Sequence, residues 1–592
     1  MVQAGTGLVQ PMGTIMNILK RFGLLALLAL LAALQPALAR TSVDAGVACA
    51  PLIQACNGVE ASCVAPLLQG LTAKLPKVAE ADIAACNAAR SLVKIPEPPA
   101  RIADGSSARG AGPEAAPAWT GDKTRPANIV LILADDYSMN LMSQDQDILS
   151  QTMPNLARMI RDGVTFHHYF VTDSLCCPSR TTIFTGLLPH NSGVFTNSKP
   201  DGGFFAFQAN DDASKTFAVT LQRAGYATAM MGKYLNGYLP QKDGVPIGWS
   251  EWDVAGNGYA NFNYVLNENG VLRLPGPHLT DEISILGRKF IAANADRPFF
   301  LELATFSPHG PCVPPVRYNN AFADIRYPQG PAYDARPDAS APAWLKAIPP
   351  LTDKEKATMF ATFQRRLQSD KGIDDMIGAL RAQLVSLGVA DNTYVIFTSD
   401  NGLHMGEYSL RSGKLTPFDT DIRVPLVVVG PQIAPGRGVD HLAGNLDLAP
   451  TFAAIAKAPK LASTDGRSLL PWLTGTDPGA WRSSLLVEHH QVKGASDNPD
   501  AAEKNGGDPP TYAALRTEAG LYVEYVTGEV SYYDLTLDPD AQINIAANLT
   551  KDQLAGFHAA LAANTACHGP GVCWAAQSSA LPQASPQRHW PP

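Results

Sequence analysis

Four short runs of the chain are almost continuously apolar, and each ends abruptly in polar residues of chemical interest. Ile129 to Leu133 leads to Asp135-Asp136, Tyr226 to Met231 to Gly232-Lys233, Phe299 to Phe306 to His309, and Tyr394 to Thr398 to Asp400-Asn401. Runs without an every-second-residue alternation predict strands buried on both faces, as in a parallel sheet covered by helices. Ligands of such sheets gather at the carboxyl ends of the strands, so the four polar ends are expected to share one rim. Helical spacing predicts helices over Met153 to Asp162, Thr181 to Gly186, Ala213 to Ala224 and Asp281 to Asn294, with a long one from Asp353 to Leu387. Past about residue 460 the texture changes. Leu485 to Glu488, Tyr512 to Arg516, Tyr522 to Val526 and Tyr532 to Leu535 predict short strands separated by turns, followed by a helix from Lys551 to Ala563. The expected fold class is α/β: a large, mostly parallel sheet sandwiched by helices, with a smaller C-terminal antiparallel sheet plus helix.

The first residues follow a different pattern. Lys20-Arg21 precede an apolar run from Phe22 to Leu34, and Ala37-Leu38-Ala39 has the small-x-small form of a cleavage site, so residues 1–39 read as an export signal. The run falls short of the roughly 20 residues that span a bilayer. A secreted or periplasmic protein with no membrane attachment after cleavage is therefore expected. Residues 40–95 are Ala-rich and carry Cys49, Cys56, Cys63 and Cys86, which predicts a Cys-containing helical segment. Residues 96–126, dense in Pro and Gly, read as a linker. A catalytic domain over 127–460, a C-terminal subdomain over 461–575 and a Pro/Ser/Gln-rich disordered tail over 576–592 complete the expected organisation.

Composition narrows the partners. With 592 residues, 46% hydrophobic and 17% charged, the chain reads as a well-buried globular protein. The formal net charge is -8 and no basic run stands out, which argues against nucleic acid as a partner.

Asp135, Asp136, Asp400 and Asn401 offer three carboxylates and one amide at the ends of two predicted strands. These are hard oxygen donors that select Ca2+ or Mg2+, and no His/Cys constellation has zinc spacing. Either pair alone is as well explained by a solvated loop or a helix cap. What changes the weighting is Ser174-Leu175-Cys176-Cys177-Pro178-Ser179-Arg180, running on to Thr185-Gly186.

That stretch resembles the sulfatase signature Cys-x-Pro-Ser-Arg followed by a short apolar run and Thr-Gly. Further matches are Leu188-Pro189-His190-Asn191, Asp421-Ile422-Arg423-Val424-Pro425 and Tyr533-Asp534-Leu535, so the resemblance spans roughly residues 127 to 550. It implies an alkaline phosphatase-like fold and conversion of Cys176 to formylglycine by a formylglycine-generating enzyme, the hydrated aldehyde supplying the nucleophile. It also implies one divalent ion, Ca2+ or Mg2+, held by Asp135, Asp136, Asp400, Asn401 and residue 176. Arg180, Lys233 and Lys414 take the place of sulfate-binding cations, and His309, in Ser307-Pro308-His309-Gly310-Pro311, that of the acid protonating the leaving oxygen. Where arylsulfatases commonly carry a His two residues after the first Lys, this chain has Leu235. Gly232-Lys233-Tyr234-Leu235-Asn236 is instead similar to glucosamine-6-sulfatases and extracellular heparan sulfatases. The base for the elimination step is thereby left open, with His404 as the candidate and Asn236 as a hydrogen-bonding substitute.

With Cys176 set aside, eight of the nine cysteines remain to pair. Export permits disulfides, and two bridges in the N-terminal cluster, one between Cys567 and Cys573 and one between Cys177 and Cys312 are the candidate arrangement, which sequence cannot fix. The expected activity is hydrolysis of a small-molecule or carbohydrate sulfate ester, with N-acetylglucosamine 6-sulfate favoured. An arylsulfatase, a phosphonate or phosphodiester hydrolase of the same superfamily, and a binding protein with unmodified Cys176 stay open.

Overall fold

The computed structural model describes residues 125–139, 146–256, 258–273, 276–491 and 504–583. The expected export signal, the segment with four cysteines, all but the last residues of the linker and residues 584–592 of the tail lie outside the described residues. Among the described residues the strands are β1 (Asn128–Ala134), β2 (Val164–Phe166), β3 (Tyr169–Phe170), β4 (Ala227–Lys233), β5 (Glu251–Ala255), β6 (Leu266–Glu268), β7 (Val271–Arg273), β8 (Phe299–Ala304), β9 (Thr393–Ser399), β10 (Leu426–Val429), β11 (Arg437–Val439), β12 (Ala443–Gly444), β13 (Leu485–His489), β14 (Tyr512–Arg516), β15 (Gly520–Tyr525) and β16 (Val530–Asp534). Ten of them form one sheet in the order β11-β2-β10-β9-β1-β8-β4-β5-β6-β7. Its centre, β9-β1-β8-β4-β5, is parallel, and antiparallel strands flank it.

Parallel pairing makes both faces of the centre apolar. Ile129, Leu131 and Leu133 of β1 belong to a core with Cys177, Ile183 and Phe184 of helix α1 (Cys176–Thr185). Val130, Ile132 and Ala134 point the other way, into a second core with α2 (Leu279–Ala293) and the long α3 (Asp353–Ser386). A capping box in which the Thr352 hydroxyl accepts from the Glu355 amide starts α3. In register, Leu133 lies opposite Thr398 on one side and Ala304 on the other, and Ala304 lies opposite Gly232. The carboxyl ends of β9, β1, β8 and β4 are therefore level, which puts their polar residues on one rim as the sequence pattern requires.

The smaller sheet, β13-β14-β15-β16, is antiparallel throughout. Helix α4 (Lys551–Thr565) packs on it through Phe557, whose ring lies 5.1 Å from those of both Tyr522 and Tyr532. Cys567 and Cys573 are bridged at the start of α5 (Pro570–Gln577). Two expectations need correction. Cys177 and Cys312 are free buried thiols, the first in the opening turn of α1 and the second donating to the Pro308 carbonyl at 3.1 Å. The stretch from residue 576 is not wholly a loose tail either, because Gln577 is helical and buried and Leu581 packs on the core.

One core position is chemically costly. Glu302 lies mid-strand in β8, on the face of Phe300 and Ala304, fully buried with neither carboxylate oxygen hydrogen-bonded. Burial pushes its acid up from 4.5 to about 8, against the pull of Arg180. Between those two values the folded state holds a proton that the unfolded chain has released, so stability falls as pH rises through the window. Glu302→Gln removes this penalty. Its Tm relative to the parent protein is expected to increase from about pH 5 to about pH 8 by several degrees, measured by thermal melts at both values; a constant difference contradicts the assignment.

Candidate active site

Each level strand end contributes a charged group. Asp135 and Asp136 follow β1, Lys233 ends β4, His309 follows β8, and Asp400 and Asn401 follow β9. Asp136 takes a left-handed backbone with φ 66°, a conformation Asp tolerates better than most residues. Its amide donates to Asp400 Oδ1 at 3.2 Å, and its carbonyl accepts from the Arg366 guanidinium of α3.

Residue 176 enters on α1. The helix begins at Cys176, with Pro178 in its first turn and the predicted run from Thr181 continuing it, after an extended Leu175 that provides no side-chain cap. The Cys177 amide donates instead to Asn197 Oδ1 at 2.8 Å. A helix N-terminus aims unpaired backbone N–H groups and the positive end of its dipole at whatever lies before it, a setting that favours an anion. Gly186 ends the helix at φ 72°, where a Cβ would meet Thr464 Oγ1 at 2.2 Å. Neither the left-handed backbone nor the space admits another residue.

The groups converge on the thiol. Lys414 Nζ donates to Cys176 Sγ at 2.9 Å and to Asp136 Oδ1 at 2.8 Å, while Sγ lies 3.5 Å from Asp135 Oδ1. Lys233 Nζ donates to the other Asp135 oxygen at 2.6 Å. His309 Nε2 is 3.5 Å from Asp136 Oδ2, and its Nδ1 donates to the Gly310 carbonyl at 2.7 Å. Ligand atoms of Asp135, Asp136, Cys176 and His309 lie within 4.8 Å of one another. Arg180 sits one layer back, donating from Nε to Asp400 Oδ2 at 2.8 Å and from Nη1 to the Lys233 carbonyl at 2.9 Å. It is fully buried. Its guanidinium thus fastens α1 to the ends of β9 and β4.

Electrostatics follow from packing three carboxylates and three cations out of water. Burial, reinforced by the charge of Asp400, pushes the Asp135 acid up despite Lys233 beside it. Burial would raise Asp400 as well, but Arg180 and Lys233 outweigh it and hold that carboxyl below its usual range. Burial lowers Lys233, yet Asp135 more than reverses this and keeps the ammonium charged. Cys177, beside the reactive position, is pushed up to about 12 by burial and is inert as a thiolate.

The donor set fits a hard divalent cation. Asn401 Oδ1 is buried with no hydrogen-bond partner, and Asp135, Asp136, Asp400 and Asn401 offer oxygen donors at the strand ends, beside the His309 nitrogen and the Cys176 sulfur.

His404 is not brought to the thiol. Its Nδ1 pairs with the Asp421 carboxylate at 2.9 Å and its Nε2 with the Gly506 carbonyl at 3.1 Å. A two-way backbone bridge joins His404 to Gly413, and Asp421 Oδ2 also accepts from the Thr416 amide and hydroxyl. The imidazole is a brace for the loop that presents Lys414, which corrects its expected role as a base. Asn236 donates to the hydroxyl of Tyr259 at 2.9 Å. Asn197, Arg366 and Tyr259 were not legible as site residues; each arrives by tertiary packing, with no motif around it.

Comparison with known proteins agrees with this geometry. Residues 127–458 match the family model described as Sulfatase, and residues 406–562 match the N-sulphoglucosamine sulphohydrolase C-terminal model. Human N-acetylglucosamine-6-sulfatase is 32% identical over 480 residues, which cover 76% of this chain and 86% of the relative. A Drosophila melanogaster extracellular sulfatase SULF-1 homolog is 34% identical over 384 residues, 62% of this chain and 33% of the relative. Among solved structures, a protein in complex with its substrate D-glucosamine-2-N,6-O-disulfate has a TM-score of 0.61 at 22% identity, over 74% of this chain and 97% of that one. The phosphonate monoester hydrolase of Agrobacterium radiobacter has 0.56 at 23%, over 73% and 93%. At such identities the structures speak for the fold alone.

Fold and site together define an ester hydrolase with the alkaline phosphatase-like architecture. The chain belongs to the sulfatase family and is a sulfuric ester hydrolase.

Proposed function

We propose that the protein is an exported, formylglycine-dependent sulfatase that releases sulfate from sulfated sugars, with 6-O-sulfated N-acetylglucosamine as the substrate class. The observation that carries this reading is the placement of Cys176 Sγ at the start of α1, 2.9 Å from Lys414 and 3.5 Å from Asp135. Gly232-Lys233-Tyr234-Leu235-Asn236 and the names of the relatives favour the sugar. Export rests on the N-terminal apolar pattern; among the described residues no helix is long and apolar enough to cross a membrane.

Sγ is the atom that maturation replaces. Converted to formylglycine, residue 176 supplies a hydrated-aldehyde hydroxyl as nucleophile. Asp135, Asp136, Asp400 and Asn401 would hold a divalent ion, Ca2+ or Mg2+, whose chemistry is Lewis-acid stabilisation of charge. The remaining work belongs to side chains. Lys414 and Lys233, both buried, face the oxygens of the ester and oppose the negative charge that grows on them. Arg180, tied to Asp400, keeps α1 and the rim in one geometry. His309, held through Nδ1 by the Gly310 carbonyl, presents Nε2 to deliver a proton to the departing alcohol oxygen.

Sulfate release from N-acetylglucosamine 6-sulfate and from 4-nitrophenyl sulfate, compared on the same mature protein, tests the sugar assignment. A higher kcat/KM for the sugar ester is expected. A clear aryl preference contradicts it.

A further inference from the structure

The loop after β5 delivers a residue to the rim that no motif announces. β5 runs parallel to β4 with Ala255 opposite Lys233, so the chain beyond Ala255 leaves the sheet beside the Lys233 ammonium. Local contacts fix where it goes. The Asn261 amide donates to the Gly258 carbonyl at 2.8 Å, the Leu279 amide donates to the Asn261 carbonyl at 2.9 Å, and a Cβ on Gly258 would approach the Phe306 ring to 2.8 Å. Tyr259 on this loop packs edge-on against Phe306, with ring centroids 5.1 Å apart.

Three groups of the site meet this one side chain. The Lys233 ammonium lies 5.0 Å from the centre of its ring, the His309 imidazole 4.6 Å away and tilted by 53°, and Asn236 Nδ2 donates to its hydroxyl at 2.9 Å. Lys233 is 3% exposed and His309 5%, whereas Tyr259, in contact with both, is only partly buried. His309 is also held through Nδ1 by the carbonyl of its immediate neighbour Gly310 and lies with Nε2 3.5 Å from Asp136 Oδ2, contacts at the ring edge that bear on its tilt less than a surface against its face does. An aromatic surface against the imidazole limits that tilt, and the same surface attracts the neighbouring ammonium.

We propose that Tyr259 is a positioning residue for the leaving-group side of the reaction: its ring sets the attitude of His309 and screens Lys233 from water, and Asn236 holds the ring in place. The inference rests on the proton-donor role given to His309. Protonation matters for an alkoxide leaving group and little for a nitrophenolate, which departs as a stable anion. That difference separates positioning of the acid from a general structural contribution.

The test uses the full mature protein with Tyr259→Leu and Tyr259→Phe, assayed on N-acetylglucosamine 6-sulfate and 4-nitrophenyl sulfate. For Tyr259→Leu, kcat on the sugar ester is expected to fall by about ten- to a hundredfold with KM changed by less than about threefold, and kcat on the nitrophenyl ester to fall markedly less. Tyr259→Phe, which keeps the ring, is expected to recover most of the loss. An equal loss on both esters, an unchanged kcat in Tyr259→Leu, or Phe as damaging as Leu overturns the inference. Failure of the functional reading shows differently, as parent protein that frees no sulfate from either ester, and it takes this inference with it.

Discussion

Cys176→Ala is expected to lower sulfate release by at least about a thousandfold while leaving the protein folded, because it deletes the side chain proposed to become the nucleophile. The comparison that isolates chemistry from structure is Cys176→Ser, made in a host without a serine-type maturase. Serine keeps the size and the start of α1, and its hydroxyl still accepts from Lys414, yet an alcohol at this position has no second hydroxyl with which to expel sulfate. Matching melting curves with turnover lost in both variants are the expected result, read by sulfate release and circular dichroism. Full activity of the serine variant removes the aldehyde from the account.

Removal of divalent metal is expected to be nearly as severe. Chelation should lower activity by about a hundredfold or more, with recovery on adding Ca2+ or Mg2+. Thermal melts give a readout that does not depend on turnover. The cluster buries Asp135, Asp136 and Asp400 together, and the upward push on Asp135 shows that Lys233 alone does not balance it. A cation that binds the folded state should therefore raise Tm with concentration, and Asp400→Asn together with Asn401→Ala should flatten that dependence. A Tm indifferent to both ions, in protein stripped of metal, contradicts the assignment of these oxygens as ligands.

The parts of the fold that were legible in sequence are those where burial leaves a one-dimensional trace. β1, β4, β8 and β9 appear within about two residues of the predicted runs, since strands buried on both faces are apolar almost throughout. Their shared rim then follows from parallel pairing, which is why Asp135, Asp136, Lys233, His309, Asp400 and Asn401 could be grouped from positions far apart in the chain. In α1 the trace is punctuation rather than period: all ten of its residues are buried, so it has no polar face to mark a helical repeat, but Pro178 in its first turn and the left-handed Gly186 at its end mark where it starts and stops.

The misplaced groups failed for a different reason. His404 lies three residues after Asn401, close enough in sequence to suggest a place at the same rim. The backbone bridge to Gly413 turns its ring instead to Asp421, a partner seventeen residues on that spacing does not reveal. Cys177 and Cys312 were left to each other by counting, but helix α1 and the turn after β8 bury them in separate surroundings. Tyr259 reaches the site through sheet register and the packing of its loop on Phe306, and nothing in the sequence of that loop points to chemistry.

The central claim is that residue 176, at the junction of α1 with the Asp135-Lys233 and Asp136-Lys414 pairs, is a modified cysteine that does the reaction. Mass spectrometry of the tryptic peptide from Asp162 to Arg180, taken from a preparation with measured sulfate release, tests it most directly. The expected spectrum shows residue 176 as the aldehyde, lighter than the thiol form, or as its hydrate, equal to the thiol in nominal mass but refractory to thiol alkylation, with Cys177 still alkylatable and the aldehyde fraction rising with activity across preparations. An active preparation in which both cysteines of that peptide remain thiols contradicts it.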